Sequence, residues 1–100
     1  MKYAIILTSE TSYPLAETIS TELGETNIYT KADIKGTNRI SSINDCVKGL
    51  FGQSEAIIFI GAMGICVRSI APYIKDKHTD PAIVNVDSTG RYAVSVLSGH

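Results

Sequence analysis

The chain has 100 residues, of which 44% are hydrophobic and 19% charged, with a formal net charge of -1. That is the balance of one soluble globular domain with a real core, and it gives no electrostatic reason to expect nucleic acid, which calls for a basic face. No apolar run approaches the ~20 residues that a membrane-spanning helix needs, and Met1-Lys2-Tyr3 leads into too short an apolar run for a signal peptide.

The first strand is expected over residues 3–8, an apolar run suited to a buried pleated surface. Residues 8–12 are polar and read as a connecting loop whose hydroxyls cap the next helix; they lack the glycine of a phosphate loop. Pro14 suits a first helical position, Leu15, Ile19 and Leu23 recur on one helix face, and Gly24 ends the helix. A short second strand follows over residues 27–30. Residues 31–42 have no periodicity and are expected to form a surface loop. Ile43, Val47, Leu50 and Phe51 mark a second amphipathic helix, closed by Gly52. Cys46 and Cys66 lack C-x-x-C or metal-ligand spacing, so both are expected to be reduced, buried thiols in a cytoplasmic protein.

The stretch AIIFIGAMGICVRSIAP, residues 56–72, organises the rest. Ile57, Ile58, Phe59 and Ile60 form the unbroken apolar run of a strand buried on both faces. Gly61-Ala62-Met63-Gly64 then turns sharply into a helical pattern. The first turn of a helix carries unpaired N–H groups and a partial positive charge, so it stabilises a carboxylate or phosphate. Arg68, one turn on, adds a planar donor to the same face. The plain alternative is a tight connection with a solvated arginine, and neither the P-loop nor the dinucleotide spacing is present. Val67, Ile70 and Ile74 are expected to face the sheet, with a break at Pro72. Residues 75–81 make a charged connection in which Lys77 and Asp80 read as solvated and His78 as an exposed loop residue.

Strands four and five are expected over residues 82–86 and 92–97. Residues 87–91 between them are too few for a crossover helix, so the two strands form an antiparallel hairpin. The expected architecture is a single α/β domain: a three-layer, mostly parallel five-stranded sheet in the order 2-1-3-4-5 with a hairpin at one edge. Ligands of such sheets bind outside the carboxyl ends of the parallel strands, where Gly61 to Gly64 and Asp87 lie. Ser98, Gly99 and His100 emerge at the other end. Ser-Gly-His can be read as a nucleophile beside its base, but no third group is identifiable, and a structural or domain-joining role is preferred.

The run FIGAMGICVRSIAP, continued through Lys77, Thr79-Asp80-Pro81-Ala82, Val86-Asp87 and Leu97-Ser98-Gly99-His100, closely resembles the cobalt-precorrin-5A hydrolase family, CbiG, of anaerobic cobalamin biosynthesis. The resemblance covers residues 56–100. Members of that family continue into a glycine-rich stretch and a carboxy-terminal domain, so the resemblance implies a fragment or single-domain form. It implies opening of the δ-lactone of a cobalt-corrinoid substrate by water, with loss of acetaldehyde. It also implies a substrate-binding set of Gly61, Ala62, Met63, Gly64, Arg68, Lys77 and Asp80. Asp87, and after it His100, are the candidate catalytic groups, although Asp87 equally suits a cap of the hairpin turn. Cobalt would arrive inside the substrate, and no metal or cofactor bound by the protein is expected. Two other readings stand beside it: a non-catalytic tetrapyrrole-binding module needing a missing carboxy-terminal part, or an assembly domain that pairs as a homodimer.

Overall fold

The computed structural model describes residues 2–97. Strand β1 (Tyr3–Leu7) and strand β4 (Ala56–Ile60) are both apolar throughout their inner length, and they lie side by side in parallel at the centre of the sheet. Burial on both faces explains the lack of alternation: Ile5, Ile6, Ile57, Phe59 and Ile60 are all fully buried. Strand β2 (Thr26–Thr30) pairs in parallel with β1 on one side, and β5 (Ala82–Val86) pairs in parallel with β4 on the other. Strand β6 (Ala93–Leu97) returns antiparallel to β5. The five strands expected from the sequence thus stand in the expected order.

A sixth strand is added at the far edge. Asn38–Arg39, within the stretch expected to be loop, forms β3 and pairs in parallel with Tyr29 and Thr30, giving the order β3-β2-β1-β4-β5-β6. Two polar, exposed residues carry no hydrophobic period, so nothing in their side chains announced a strand.

Helix α1 (Tyr13–Leu23) covers one face of the sheet; α2 (Ile43–Leu50) and α3 (Met63–Ile70) cover the other. A short 3-10 turn, Glu10–Ser12, precedes α1, and Ser9 caps it by accepting from the Thr11 N–H. Within α1 only Ala16 is fully buried; Leu15 and Ile19 are half-buried at its sides and Leu23 is exposed. Ser42 caps α2 by accepting from the Asp45 N–H at 3.3 Å.

The buried face of α3 differs from the expected one. Cys66, Ser69 and Ile70 face the sheet, while Val67 and Ile74 are exposed. In the regular helix Cys66 and Ser69 take the inward positions beside Ile70 and turn Val67 outward; for Ile74 the reason is Pro72, since the chain tightens into a 3-10 turn at Ala71–Tyr73 and breaks the 3.6-residue phase. Ser69 tolerates burial because its hydroxyl donates to the Ile65 carbonyl at 2.7 Å.

Candidate functional site

Strand order reverses between β1 and β4. Chain leaving β1 crosses one face through α1, and chain leaving β4 crosses the other through α3, which makes their carboxyl ends the switch point where sheets of this kind bind ligands. Thr8, just after β1, and Gly61, just after β4, lie side by side there. The Thr8 hydroxyl donates to the Ile60 carbonyl at 3.0 Å and its backbone N–H to the same oxygen at 3.2 Å. The Gly61 N–H donates to the Val86 carbonyl at 2.9 Å. Asn85, only 5% exposed, donates from Nδ2 to the Gly61 carbonyl at 3.1 Å. Three neighbouring strands are therefore tied around one glycine.

Gly61 has φ +145°, and a Cβ there would fall onto Thr8 Oγ1. Only glycine fits. The turn delivers the chain into α3 with Ala62 at the cap position, extended and without a side-chain hydrogen bond to the helix. The N–H groups of Ile65 and Cys66 bond back to the Ala62 carbonyl, while those of Met63 and Gly64 belong to the first turn, where a helix offers no carbonyl to meet them. Gly64 is exposed, and an Arg68 Nη1 lies 3.7 Å from where its Cβ would be. The guanidinium thus folds back along α3 to the first turn, so charge, planar donors and free N–H groups converge on one exposed patch. Such a patch can hold a carboxylate by two or more charge-assisted bonds.

The other sequence-derived site residues go elsewhere. Asp87 follows β5 at the same end of the sheet, but the hairpin turn engages its carboxylate. One oxygen accepts from the Tyr92 N–H at 2.8 Å and the other from the Thr89 hydroxyl. Those bonds favour the ionised form, the Thr89 hydroxyl most, and hold the carboxyl below its ordinary pKa. A carboxylate so held is a weaker base than usual. Of the two roles left open for Asp87, the geometry supplies the turn cap.

Lys77 and Asp80 lie at the opposite end of the sheet, in the connection leading into the amino end of β5. Asp80 Oδ2 accepts from the N–H groups of Lys75 at 2.8 Å and Asp76 at 3.1 Å, which ties that connection to itself. Asp80 also borders a hollow of about 630 Å³ beside Phe51 and Tyr73. These two residues and the glycine turn do not share a site. His100 lies outside the described residues. Among the described residues no cluster of His, Cys, Asp or Glu could hold a metal ion. Burial pushes the thiols of Cys46 and Cys66 up to about 11, which makes them poor nucleophiles and ligands.

Sequence reasoning overlooked Asn85. Its signal was available: a single amide in the run AIVNV of a strand otherwise apolar must find a partner when buried.

A family profile described as cobalamin synthesis G N-terminal matches residues 45–100. The cobalt-precorrin-5A hydrolase of Salmonella typhimurium is 56% identical over 50 residues, which is 50% of this chain and 14% of that protein. The enzyme of the same description from Priestia megaterium is 46% identical over 59 residues, 59% of this chain and 16% of its own length. The crystal structure of a cobalamin biosynthesis protein G homologue from Sulfolobus solfataricus superposes with a TM-score of 0.77 at 27% identity. It covers 99% of this chain and 30% of its own. The matched part of this chain therefore spans about one-seventh of the length of these curated relatives. The matched region includes β4, the glycine turn and α3.

Proposed function

The chain belongs to the cobalamin synthesis G N-terminal family, and from that premise we propose that it grips the substrate of a cobalt-precorrin-5A hydrolase. The reading rests on one observation: the first turn of α3 and the guanidinium of Arg68 meet at Gly64 on an exposed surface. A corrin ring is rimmed by acetate and propionate groups, so this patch offers what one of those carboxylates needs. The Met63 and Gly64 N–H groups point at the anion, and Arg68 adds its charge from one turn away.

The reaction consumes water. Attack on the lactone carbonyl breaks its ring C–O bond, yielding a carboxylate and an alcohol; the alcohol then loses its proton as the C–C bond to the macrocycle breaks, the macrocycle takes the electron pair and a proton, and the extruded carbon leaves with its methyl group as acetaldehyde. Cobalt enters this scheme as part of the substrate. Gly61, locked between Thr8 and Asn85, holds the turn in one geometry before the substrate arrives, so none of the binding energy is spent on ordering it.

Asp87 serves the hairpin, and in this reading the activation of water belongs to a part of the relatives that this chain does not match. The relatives are more than three times as long as this chain, which favours that division, since clefts between domains are common sites for small molecules.

Titration of the purified chain with a stable carboxylated corrinoid such as cobyrinic acid, followed by absorbance and calorimetry, tests this. Binding that weakens with added salt is expected, and Arg68→Ala should lower affinity by about tenfold or more while leaving the circular dichroism unchanged. Equal affinity of the two proteins would overturn the role of Arg68, and absence of binding would overturn the gripping site. Acetaldehyde released from cobalt-precorrin-5A by this chain alone would overturn the division of labour.

A further inference from the structure

The two edges of the sheet are built differently. Strand β3 is two residues long and polar, with an arginine, which is how edges are normally protected from pairing with other strands. Strand β6 is five residues long and carries less of it, a bulge near its end. From Tyr92 to Leu97 it carries no charge and no proline. Tyr92 is 68% and Val94 48% exposed. Val94 lies opposite Asn85 in the register, on the face covered by α2 and α3, but it extends past their cover.

The hydrogen-bond phase of this edge is known. The Tyr92 carbonyl accepts from the Asp87 N–H at 3.0 Å, and its own N–H donates to Asp87 Oδ1, so the peptide groups of Tyr92 point inward to β5. Antiparallel pairing alternates, so those of Ala93 and Ser95 point outward. Among the described residues nothing pairs with that side of β6. The register skips Val96 between Val84 and Ile83, a bulge that limits regular pairing to the part of β6 up to Ser95.

The geometry points to a second copy of this chain as the partner of β6, paired antiparallel about a two-fold axis through Val94. In that register Ala93 of each copy exchanges backbone bonds with Ser95 of the other. The two Val94 side chains meet as a non-hydrogen-bonded pair, the arrangement that brings side chains closest. A strand with no charge meets its own copy without like-charge repulsion, and a two-fold contact of this kind is closed, so it stops at the dimer. The bulge keeps the pairing short, so the association is weak and depends on concentration. It lies at the sheet's edge and does not use the glycine turn, and it stands or falls independently of the corrinoid proposal.

Sedimentation of the wild-type chain over a wide concentration range, alongside Val94→Lys and Ser95→Pro, decides the matter. The wild type should pass from monomer to dimer. Val94→Lys sets two cations face to face and should raise the dissociation constant by about tenfold or more. Ser95→Pro removes one outward N–H of each copy, a change that edge strands tolerate, and provides the test if the lysine variant does not fold. Amide exchange at Ala93 and Ser95 should slow as the concentration rises, while that at Val94 should not change. A wild type that stays monomeric, a dimer indifferent to both variants, or amides at Ala93 and Ser95 indifferent to concentration would overturn the proposal.

Discussion

Gly61 concentrates the constraints of the site in one residue. Its φ of +145° is open to glycine and costly for other residues, and the space beside it belongs to the Thr8 hydroxyl. Gly61→Ala must therefore strain its own backbone and push Thr8 off the Ile60 carbonyl, a bond of 3.0 Å in the folded chain. Together these cost about 2–4 kcal/mol, from ~1–3 for backbone strain and ~1 for the hydrogen bond. Urea unfolding should register that loss. In a Thr8→Ala background the same substitution should cost less, since the hydroxyl it displaces is gone; an equal cost in both backgrounds would mean that the two residues do not interact. Asn85 belongs to the same cluster; among the described residues its Oδ1 is buried without a partner, and the amide is held by the bond that it gives to Gly61.

Among the elements, the β5–β6 hairpin depends most on a charge. Asp87 accepts the Tyr92 N–H and the Thr89 hydroxyl, and its folded pKa lies below the ordinary 3.8. A depressed carboxyl contributes stability that is present above the unfolded pKa and lost as pH falls through the folded one. Asp87→Asn should therefore melt at a lower temperature than wild type near neutrality, with the difference shrinking as the pH is taken below about 4; a difference that stayed constant into acid would show that the ionised form is not what matters. The hairpin was also the element most legible from the sequence, because five residues between two apolar runs leave no room for a crossover. Strands β1 and β4 were legible for a similar reason, as largely unbroken apolar runs mark burial on both faces. Strand β3 was not, since its pairing is made by backbone groups that its side chains do not advertise. The face of α3 was misjudged because Cys66 and Ser69, small or polar, fill the core positions that Val67 and Ile74 were expected to take. The glycine turn and Arg68 were read on one face, and the structure sets them side by side. Lys77 and Asp80 are near that motif in sequence, yet a strand-length connection through α3 carries them to the opposite end of the sheet. Proximity along the chain says little about which end of a parallel sheet a residue reaches.

At the scale of the whole molecule, the two faces of the sheet form two separate clusters, and each cysteine reports on the same one. Cys66 is fully buried between α3 and the sheet among Ile6, Phe59 and Ile70, whereas Cys46 is half-buried on α2 at the margin of that cluster. Burial raises both thiols to about 11, so each reacts slowly with a thiol reagent near pH 8 while the protein is folded. Their routes to exposure differ. Cys46 needs only α2 to lift or fray, a local opening of low cost; Cys66 needs α3 to leave the central strands, which removes the apolar cover of β4 and with it the reason for the sheet to hold. The rate of labelling at Cys66 should therefore fall with the stability of the whole domain and respond to urea with the full slope of global unfolding, while labelling at Cys46 should be faster and less sensitive. Following each site by mass spectrometry in single-cysteine variants, Cys46→Ala and Cys66→Ala, would measure both slopes. If Cys66 labelled with the shallow slope instead, α3 would open independently of the sheet, and the glycine turn at its amino end would be a hinge and not a fixed cradle.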